Sequence, residues 1–160
     1  MTPFFGTFPV ELHAGMLARL VAATLLGALV GYERERTGKP AGVRTHGMVG
    51  LGAALFTVVS LHGFGTAGDA TRVAAQIVTG IGFIGAGAIL HERGGVHGLT
   101  TAASLWVTAA VGVAVGVGMV WMSLATAALV FLLLRFGPKP GHKTRRGDAG
   151  TTPAGEEGQV

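Results

Sequence analysis

The sequence predicts an all-α membrane protein: a Gly-rich, close-packed bundle of five transmembrane helices, with the N-terminus outside and the C-terminus cytoplasmic. The first observation is composition, since 49% of the 160 residues are apolar and only 12% are charged, about half the charged fraction of a soluble domain. The second is charge placement. Residues 45–68, 73–91 and 94–134 contain no Asp, Glu, Lys or Arg. A bilayer core takes about 20 helical residues, so these runs hold one, one and two spans.

The spans are expected at about 15–32, 45–62, 73–91, 98–115 and 119–136. Arg19 interrupts the first, and we expect its side chain to reach the lipid headgroups from near the helix end. One helix over 99–136 would be about 57 Å long, too long for one crossing, so we place a break at 116–118. Residues 1–14 are expected to be periplasmic or interfacial. The Pro/Gly/Thr-rich residues 137–160 are expected to be a disordered cytoplasmic tail.

The basic residues give the orientation. Ten of the twelve fall in the loops after the first and third spans and in the tail, which leaves Arg19 and Arg72 for the other side. The positive-inside rule makes the ten cytoplasmic. They sit at the ends of apolar runs and do not alternate with aromatic residues, so the partner is expected to be the lipid bilayer and not nucleic acid.

The sequence offers little for catalysis or metal binding. Cysteine is absent, which excludes disulfides and thiolate ligands. The spans contain no carboxylate pair and no HExxH spacing, so we expect neither an enzyme nor a cofactor. Mg²⁺ binds through carboxylates, yet only Glu11 and Asp69 lie outside the cytosol and the spans hold none. A self-sufficient Mg²⁺ transporter is therefore weakly supported, and a metal site stays unassigned.

Glycines recur at the spacing of helix contacts. The third span contains a literal GxGxxG, but it lies inside an uncharged, membrane-length run, where close helix packing explains it better than nucleotide binding. GxxxG pairs occur in the first and fourth spans. The glycines expected at helix contacts are Gly27, Gly31, Gly80, Gly82, Gly85, Gly87, Gly112 and Gly116.

Two polar stripes follow helical spacing inside the predicted spans. The first consists of Asp69, Arg72, Gln76 and Thr79, and the second of Thr101, Ser104 and Thr108. One interpretation is that the stripes pair across a helix interface, because lipid offers polar groups no partner. The other is a path for a polar ligand or a proton. The sequence leaves both open.

The densest charged segment is expected to be the cytoplasmic loop of residues 33–46. Its polar residues are Glu33, Arg34, Glu35, Arg36, Lys39, Arg44, Thr45 and His46. Thr45 suits a helix N-cap. Glu92, the only acid of its own loop, is expected to pair with a basic residue on this side. A solvated loop that holds anionic headgroups and a docking surface or switch are both consistent with the pattern.

These segments resemble the MgtC/SapB family of bacterial membrane proteins. The resemblance is carried by residues 31–36 (GYERER), 38–46 (GKPAGVRTH), 72–87 (RVAAQIVTGIGFIGAG) and 98–110 (GLTTAASLWVTAA), and it covers about residues 15–135. It implies a five-span protein of the bacterial inner membrane that supports growth at low magnesium. For some members it also implies survival inside host cells or acid resistance.

The resemblance further implies a modulator of other membrane machines, notably the proton-driven ATP synthase, and not a carrier of Mg²⁺. Position by position, it implies roles for the motifs 33–36 and 44–46 and for Arg72, Gln76, Glu92 and Thr100. Thr100 stands where some relatives have Asn. Longer members carry a soluble C-terminal domain, where here only residues 137–160 follow the last span.

We therefore expect a non-enzymatic modulator of a larger membrane complex. Its Gly-rich faces would pack against partner helices or against copies of the chain in a homo-oligomer, and residues 33–46 with Glu92 would form the cytoplasmic contact. The alternative is a small oligomeric transporter or channel for Mg²⁺ or another ion that uses the two polar stripes as its path. A third class, a lipid-organising structural protein, would depend on no single polar residue.

Overall fold

The computed structural model describes residues 10–63, 69–92 and 95–137. The helices are α1 (Val10–Arg36), α2 (Val43–His62), α3 (Ala70–Gly87), α4 (Leu99–Val117) and α5 (Val120–Phe136). Between α3 and α4, β1 (Leu90–Glu92) and β2 (Gly95–His97) form an antiparallel hairpin in which Leu90 is opposite His97. The expectations for residues 1–9 and 138–160 lie outside the described residues.

The all-α class is confirmed, with a small hairpin that the sequence did not predict. Three helices are long and apolar enough to cross a membrane: Leu12–Arg36, Val43–His62 and Leu99–Val117. α5 is apolar but shorter. The third expected span is wrong at its end, because α3 ends at Gly87 and residues 90–92 form a strand.

The core is built from small residues of α1, α2 and α4. Ala23, Ala54, Val111 and Val115 form one buried cluster. A second cluster brings Ile81 of α3 against α2 and α4. α5 packs along α1 and α4, while α3 contacts α4 more extensively than it contacts α2.

Glycines let the three central helices touch backbone to backbone. A methyl group on Gly112 would lie 2.5 Å from the Gly50 carbonyl oxygen, and one on Gly50 would lie 2.6 Å from that of Ala23. Gly27 meets the His46 carbonyl in the same way. Such distances leave no room for a side chain, so these glycines fix how closely α1, α2 and α4 approach.

The turn between α4 and α5 is held by α1. Gly118 ends α4 in the left-handed region at φ 96°, a conformation that favours glycine. Arg19 Nη1 donates to the Gly116 carbonyl oxygen at 2.9 Å, one of the acceptors that a helix C-terminus leaves without an intrahelical partner. The sequence did not predict this contact, through which Arg19 fastens α1 to the end of α4; that Arg19 reaches the headgroups stays a prediction.

Candidate functional site

The buried polar side chains gather where α1 ends and where α2 and α4 begin, which we call the loop end of the bundle. The charged motif 33–36, expected in a loop, is instead the last turn of α1. We call the buried polar residues of this end the polar cluster. Its members are Glu33, Arg34, His46, Thr101 and Ser104.

His46 is fully buried in the first turn of α2. Its Nδ1 lies 3.1 Å from the Gly42 carbonyl oxygen and its Nε2 lies 3.1 Å from Ser104 Oγ of α4. A carbonyl can only accept, so Nδ1 carries hydrogen and donates. In the neutral ring Nε2 then accepts from the Ser104 hydroxyl. The Thr101 carbonyl oxygen, 2.8 Å from the same hydroxyl, is the alternative acceptor for its one hydrogen. His46 therefore ties α2 to α4 through Nε2, and through Nδ1 it contacts the residue that caps its own helix.

Arg34 joins α1 to the same part of α4. It is only 6% exposed, and its Nη2 donates to Thr101 Oγ1. Its Nε has no hydrogen-bond partner, and within the described residues no carboxylate forms a salt bridge with it. Burying a guanidinium without an ion pair costs folding free energy, so a gain in stability does not explain why Arg34 is buried.

Glu33, the neighbour of Arg34 in the chain, faces α5. It is 2% exposed, and its Oε1 lies 3.7 Å from Arg135 Nη1, whose side chain is 41% exposed. Glu33 Oε2 has no hydrogen-bond partner. The sequence did not predict this pair, because no local spacing connects residues 102 positions apart.

The loop above the polar cluster, residues 37–42, is folded onto the helix ends. The Thr37 hydroxyl donates to the Glu33 carbonyl at 2.8 Å, and Glu35 Oε2 accepts from the Val43 amide at 2.9 Å. Thr45 was the predicted N-cap, but the cap is Gly42, because the Glu35 carboxylate binds the first amide of α2 from outside the helix. The basic side chains exposed in this loop and in the helix turns that flank it are Arg36, Lys39 and Arg44.

The two polar stripes do not pair, and that interpretation is wrong. The stripe on α4 is buried and consists of Thr101, Ser104 and Thr108. It faces α1 and α2, whereas the pairing interpretation requires it to face α3. The Thr108 hydroxyl donates to the Ser104 carbonyl of its own helix at 2.8 Å. A polar stripe shows which face of a helix is polar, but it does not say which neighbour covers that face.

The stripe on α3 is exposed instead. Arg72, Gln76 and Thr79 all lie on the outer face, and the Thr79 hydroxyl donates to the Ala75 carbonyl of its own helix at 3.1 Å. Asp69 caps α3 by accepting from the Thr71 amide at 2.9 Å and from its hydroxyl at 2.6 Å. The hydrogen bonds from the Thr71 hydroxyl and then from its amide hold the pKa of the Asp69 carboxyl below its usual range.

The remaining predicted residues divide in the same way. Thr100 is exposed in the first turn of α4. Glu92 lies on β1, but its side chain, and with it the expected pairing to the basic loop, is outside what the structure describes.

The predicted helix-contact glycines also divide by helix. Those of α1 and α4 pack tightly, since a methyl group on Gly31 would lie 2.5 Å from the Gly42 carbonyl oxygen and one on Gly116 would lie 2.6 Å from Thr57 Cβ. On α3 only Gly85 meets a neighbour, Ala102 at 3.6 Å. The glycines of α3 with nothing within 4 Å are Gly80, Gly82 and Gly87.

Chemically, the polar cluster is built to hold helix ends together. In the described part of the chain, no three His, Asp or Glu side chains are grouped to hold a metal ion. The cluster has one buried imidazole, one buried guanidinium, one buried carboxylate and two hydroxyls, of which that of Thr101 accepts from Arg34 and that of Ser104 contacts His46. Its effect is to give the exposed basic loop a fixed base.

Comparison with known proteins gives the same family over most of the chain. The profile described as the MgtC family matches residues 20–141. "Putative magnesium transporter YhiD" of Escherichia coli K12 is 44% identical over 128 residues, covering 76% of this chain and 60% of YhiD. Protein MgtC of Brucella abortus is 51% identical over 116 residues, covering 72% of this chain and 48% of that protein.

Protein MgtC of Salmonella typhimurium is 46% identical over 123 residues, covering 74% of this chain and 52% of that protein. The chain thus matches about half the length of these relatives. No solved structure matches. Because the profile covers far more than half of the residues and the relatives are 44–51% identical, this membrane protein belongs to the MgtC family.

Proposed function

We propose that this protein supports magnesium homeostasis and growth at low Mg²⁺ by acting on another complex of the bacterial inner membrane. In this proposal the five helices all cross the membrane, the loop end faces the cytoplasm, and the protein catalyses no reaction. The contact is made by the exposed basic residues of the loop end. The proton-driven ATP synthase, which the family resemblance suggests, is the partner to test first.

The observation that carries the proposal is the anchoring of this loop. The loop of residues 37–42 is held at its start by the bond from the Thr37 hydroxyl to the Glu33 carbonyl and at its end by the bond from the Val43 amide to Glu35. The polar cluster joins the helix ends that flank it. The backbone that carries Lys39, and the first turn of α2 that carries Arg44, are therefore held in place and do not form a free segment. A fixed basic surface suits recognition of an acidic partner surface, because its binding loses little conformational freedom.

The interior argues against conduction through a single copy. Hydroxyls of the inner helices donate to carbonyls of their own helix, as Thr57 does to Ala53 at 2.8 Å and Thr108 does to Ser104 at 2.8 Å. At Gly27, Gly50 and Gly112 the helices α1, α2 and α4 touch backbone to backbone, so no side-chain-lined path passes between them at those levels. An ion that passed the buried Thr57 and Thr108 would meet hydroxyls already bonded to their own helix.

The test is rescue of growth at low Mg²⁺ in a strain that lacks this protein. We expect the double variant Lys39→Ala/Arg44→Ala to lose rescue while its abundance in the membrane is unchanged, because both side chains are exposed. The matched control is Arg72→Ala, which removes an exposed basic side chain from the opposite end and should rescue fully. Full rescue by the double variant would refute the proposed contact.

A second candidate, an oligomeric ion transporter, is favoured by one observation. Arg72 and Gln76 are polar and exposed on α3, and the E. coli relative is named "Putative magnesium transporter YhiD". This candidate requires Mg²⁺ flux into liposomes that contain only the purified protein, and loss of that flux in Gln76→Leu. The modulator hypothesis requires no flux above empty liposomes.

A further inference from the structure

One face of α3 is exposed and is not covered by any other described helix. A groove of about 630 Å³ runs between α2 and α3. Its lining is apolar except near Thr45 and Gln76, and includes Phe56, Gly80 and Ile84. Gly27 and Gly31 of α1 and the α4 glycines Gly112 and Gly116 meet neighbouring atoms, whereas Gly80 and Gly82 on α3 meet none within 4 Å.

Polar and aromatic side chains continue along the same face. Arg72, Gln76, Gly80, Phe83 and Gly87 follow at intervals of four, four, three and four residues, which places them on one side of a helix. All five are exposed, and Phe83 is 83% exposed. Among the described residues, none accepts from or donates to the Gln76 amide. Inside a bilayer an unpaired amide is costly, so a covering element must offer it a hydrogen bond.

A lipid chain fills a groove but offers no hydrogen bond at this depth. A second copy of α3 does. In a dimer with its two-fold axis along the membrane normal, each residue of α3 meets the other copy at its own depth. The Gln76 amide both donates and accepts, so two such side chains satisfy each other.

The charges at the start of α3 are also self-complementary. Asp69 and Arg72 are both exposed, and no salt bridge to either is present in the described part of the chain. Asp69 and Arg72 differ in depth by about 4.5 Å, a distance that the long Arg72 side chain spans, so across a two-fold axis the base of one copy reaches the acid of the other. The open glycines allow the two helices to approach closely, as small residues do at membrane helix contacts.

We propose that two copies of this chain associate in parallel through α3, pairing Gln76 with Gln76 and placing Phe83 of each copy in the α2–α3 groove of the other. The inference does not rest on the proposed function, because self-association is measured independently of growth.

The test is cysteine cross-linking in native membranes, for which the chain is suited because it contains no cysteine. Thr79→Cys places one thiol on the exposed face of α3, and a short bifunctional thiol reagent is added to membranes from cells at low expression. The matched control is Leu129→Cys on α5, which is 61% exposed and lies outside the proposed interface. We expect a band of twice the monomer mass for Thr79→Cys and none for Leu129→Cys.

A second substitution separates the interface from folding. Gly80→Val added to Thr79→Cys should abolish the dimer band and leave the monomer in the membrane, since nothing lies within 4 Å of a Cβ at Gly80. Gly15→Val is the matched control, because Gly15 on α1 is equally open, and it should leave the band unchanged. Gln76→Leu should weaken the band.

Every other outcome overturns the proposal. A Thr79→Cys product of a different mass would assign the face to another protein. The absence of any product would leave lipid as its cover. Equal products at Thr79→Cys and Leu129→Cys, or a band that survives Gly80→Val, would show random collision.

Discussion

His46 Nε2 of α2 lies 3.1 Å from Ser104 Oγ of α4, and the same ring contacts the Gly42 carbonyl oxygen through Nδ1. One buried side chain thus connects the start of α2, the loop before it and the start of α4. The basic loop of the proposed contact rests on this connection.

Replacing His46 should therefore lower the stability of the fold. His46→Ala leaves the Gly42 carbonyl without its ring donor and opens a cavity, so we expect the free energy of unfolding to fall by about 2–4 kcal/mol. Ser104→Ala removes one of the two contacts and should cost about 1 kcal/mol. Thermal unfolding of the purified protein in detergent measures both. Equal stability of His46→Ala and the unmodified protein would show that the ring does not hold the helices.

Substitution of a packed glycine and of an open glycine should have different effects on stability. Gly112→Ala would place a methyl group 2.5 Å from the Gly50 carbonyl oxygen and 2.9 Å from Ala53 Cβ, so we expect a loss of about 1–3 kcal/mol. Gly80→Ala meets nothing within 4 Å and should stay within about 1 kcal/mol of the unmodified protein. Melting temperatures of the two variants provide the comparison. Similar values would contradict the packing described for α2 and α4.

Glu33 and Arg135 should show a large coupling energy. Arg135→Ala leaves a buried carboxylate without its cation and should cost about 1–3 kcal/mol. In a Glu33→Gln background the same change should cost little, because no charge is then left behind. A double-mutant cycle measures the difference. Additive effects of the two substitutions would mean that the 3.7 Å contact carries no energy.

The cap of α3 should depend on pH. The pKa of Asp69 lies below its usual range because Thr71 donates to the charged carboxylate, so the cap is complete above the ordinary Asp pKa of about 3.9. Its contribution is lost as the pH falls through the lowered value. We expect hydrogen exchange at the Thr71 amide to lose protection below that pH, and Asp69→Ala to remove the pH dependence. Unchanged protection in Asp69→Ala would refute the cap.

Much of the fold could be predicted because it follows from composition and short-range patterns. The charge-free runs locate apolar helices, and the spacing of Gly27, Gly31, Gly112 and Gly116 indicates helix contacts. The GVG sequence of 116–118 correctly places the turn between α4 and α5, because glycine is favoured at the positive φ of Gly118.

The candidate site was harder to predict because it depends on which helices are neighbours. Spacing shows that Thr101, Ser104 and Thr108 share a face, but only the fold shows that Arg34 and His46 cover it. The pairing of Glu33 with Arg135 is equally non-local. Motif 33–36 was expected in a loop because its charges suggest solvent, whereas burial at the helix end makes Glu33 and Arg34 part of the interior.

The proposal that the loop end contacts another membrane complex is tested most directly by photo-cross-linking in magnesium-starved cells. A photoreactive amino acid at position 39 probes the loop end, and one at position 25 on the exposed face of α1 is the control. We expect position 39, but not position 25, to capture subunits of one membrane complex, with loss of the product in Arg44→Ala. Products that contain only further copies of this chain, or the same products from both positions, would contradict the proposed function.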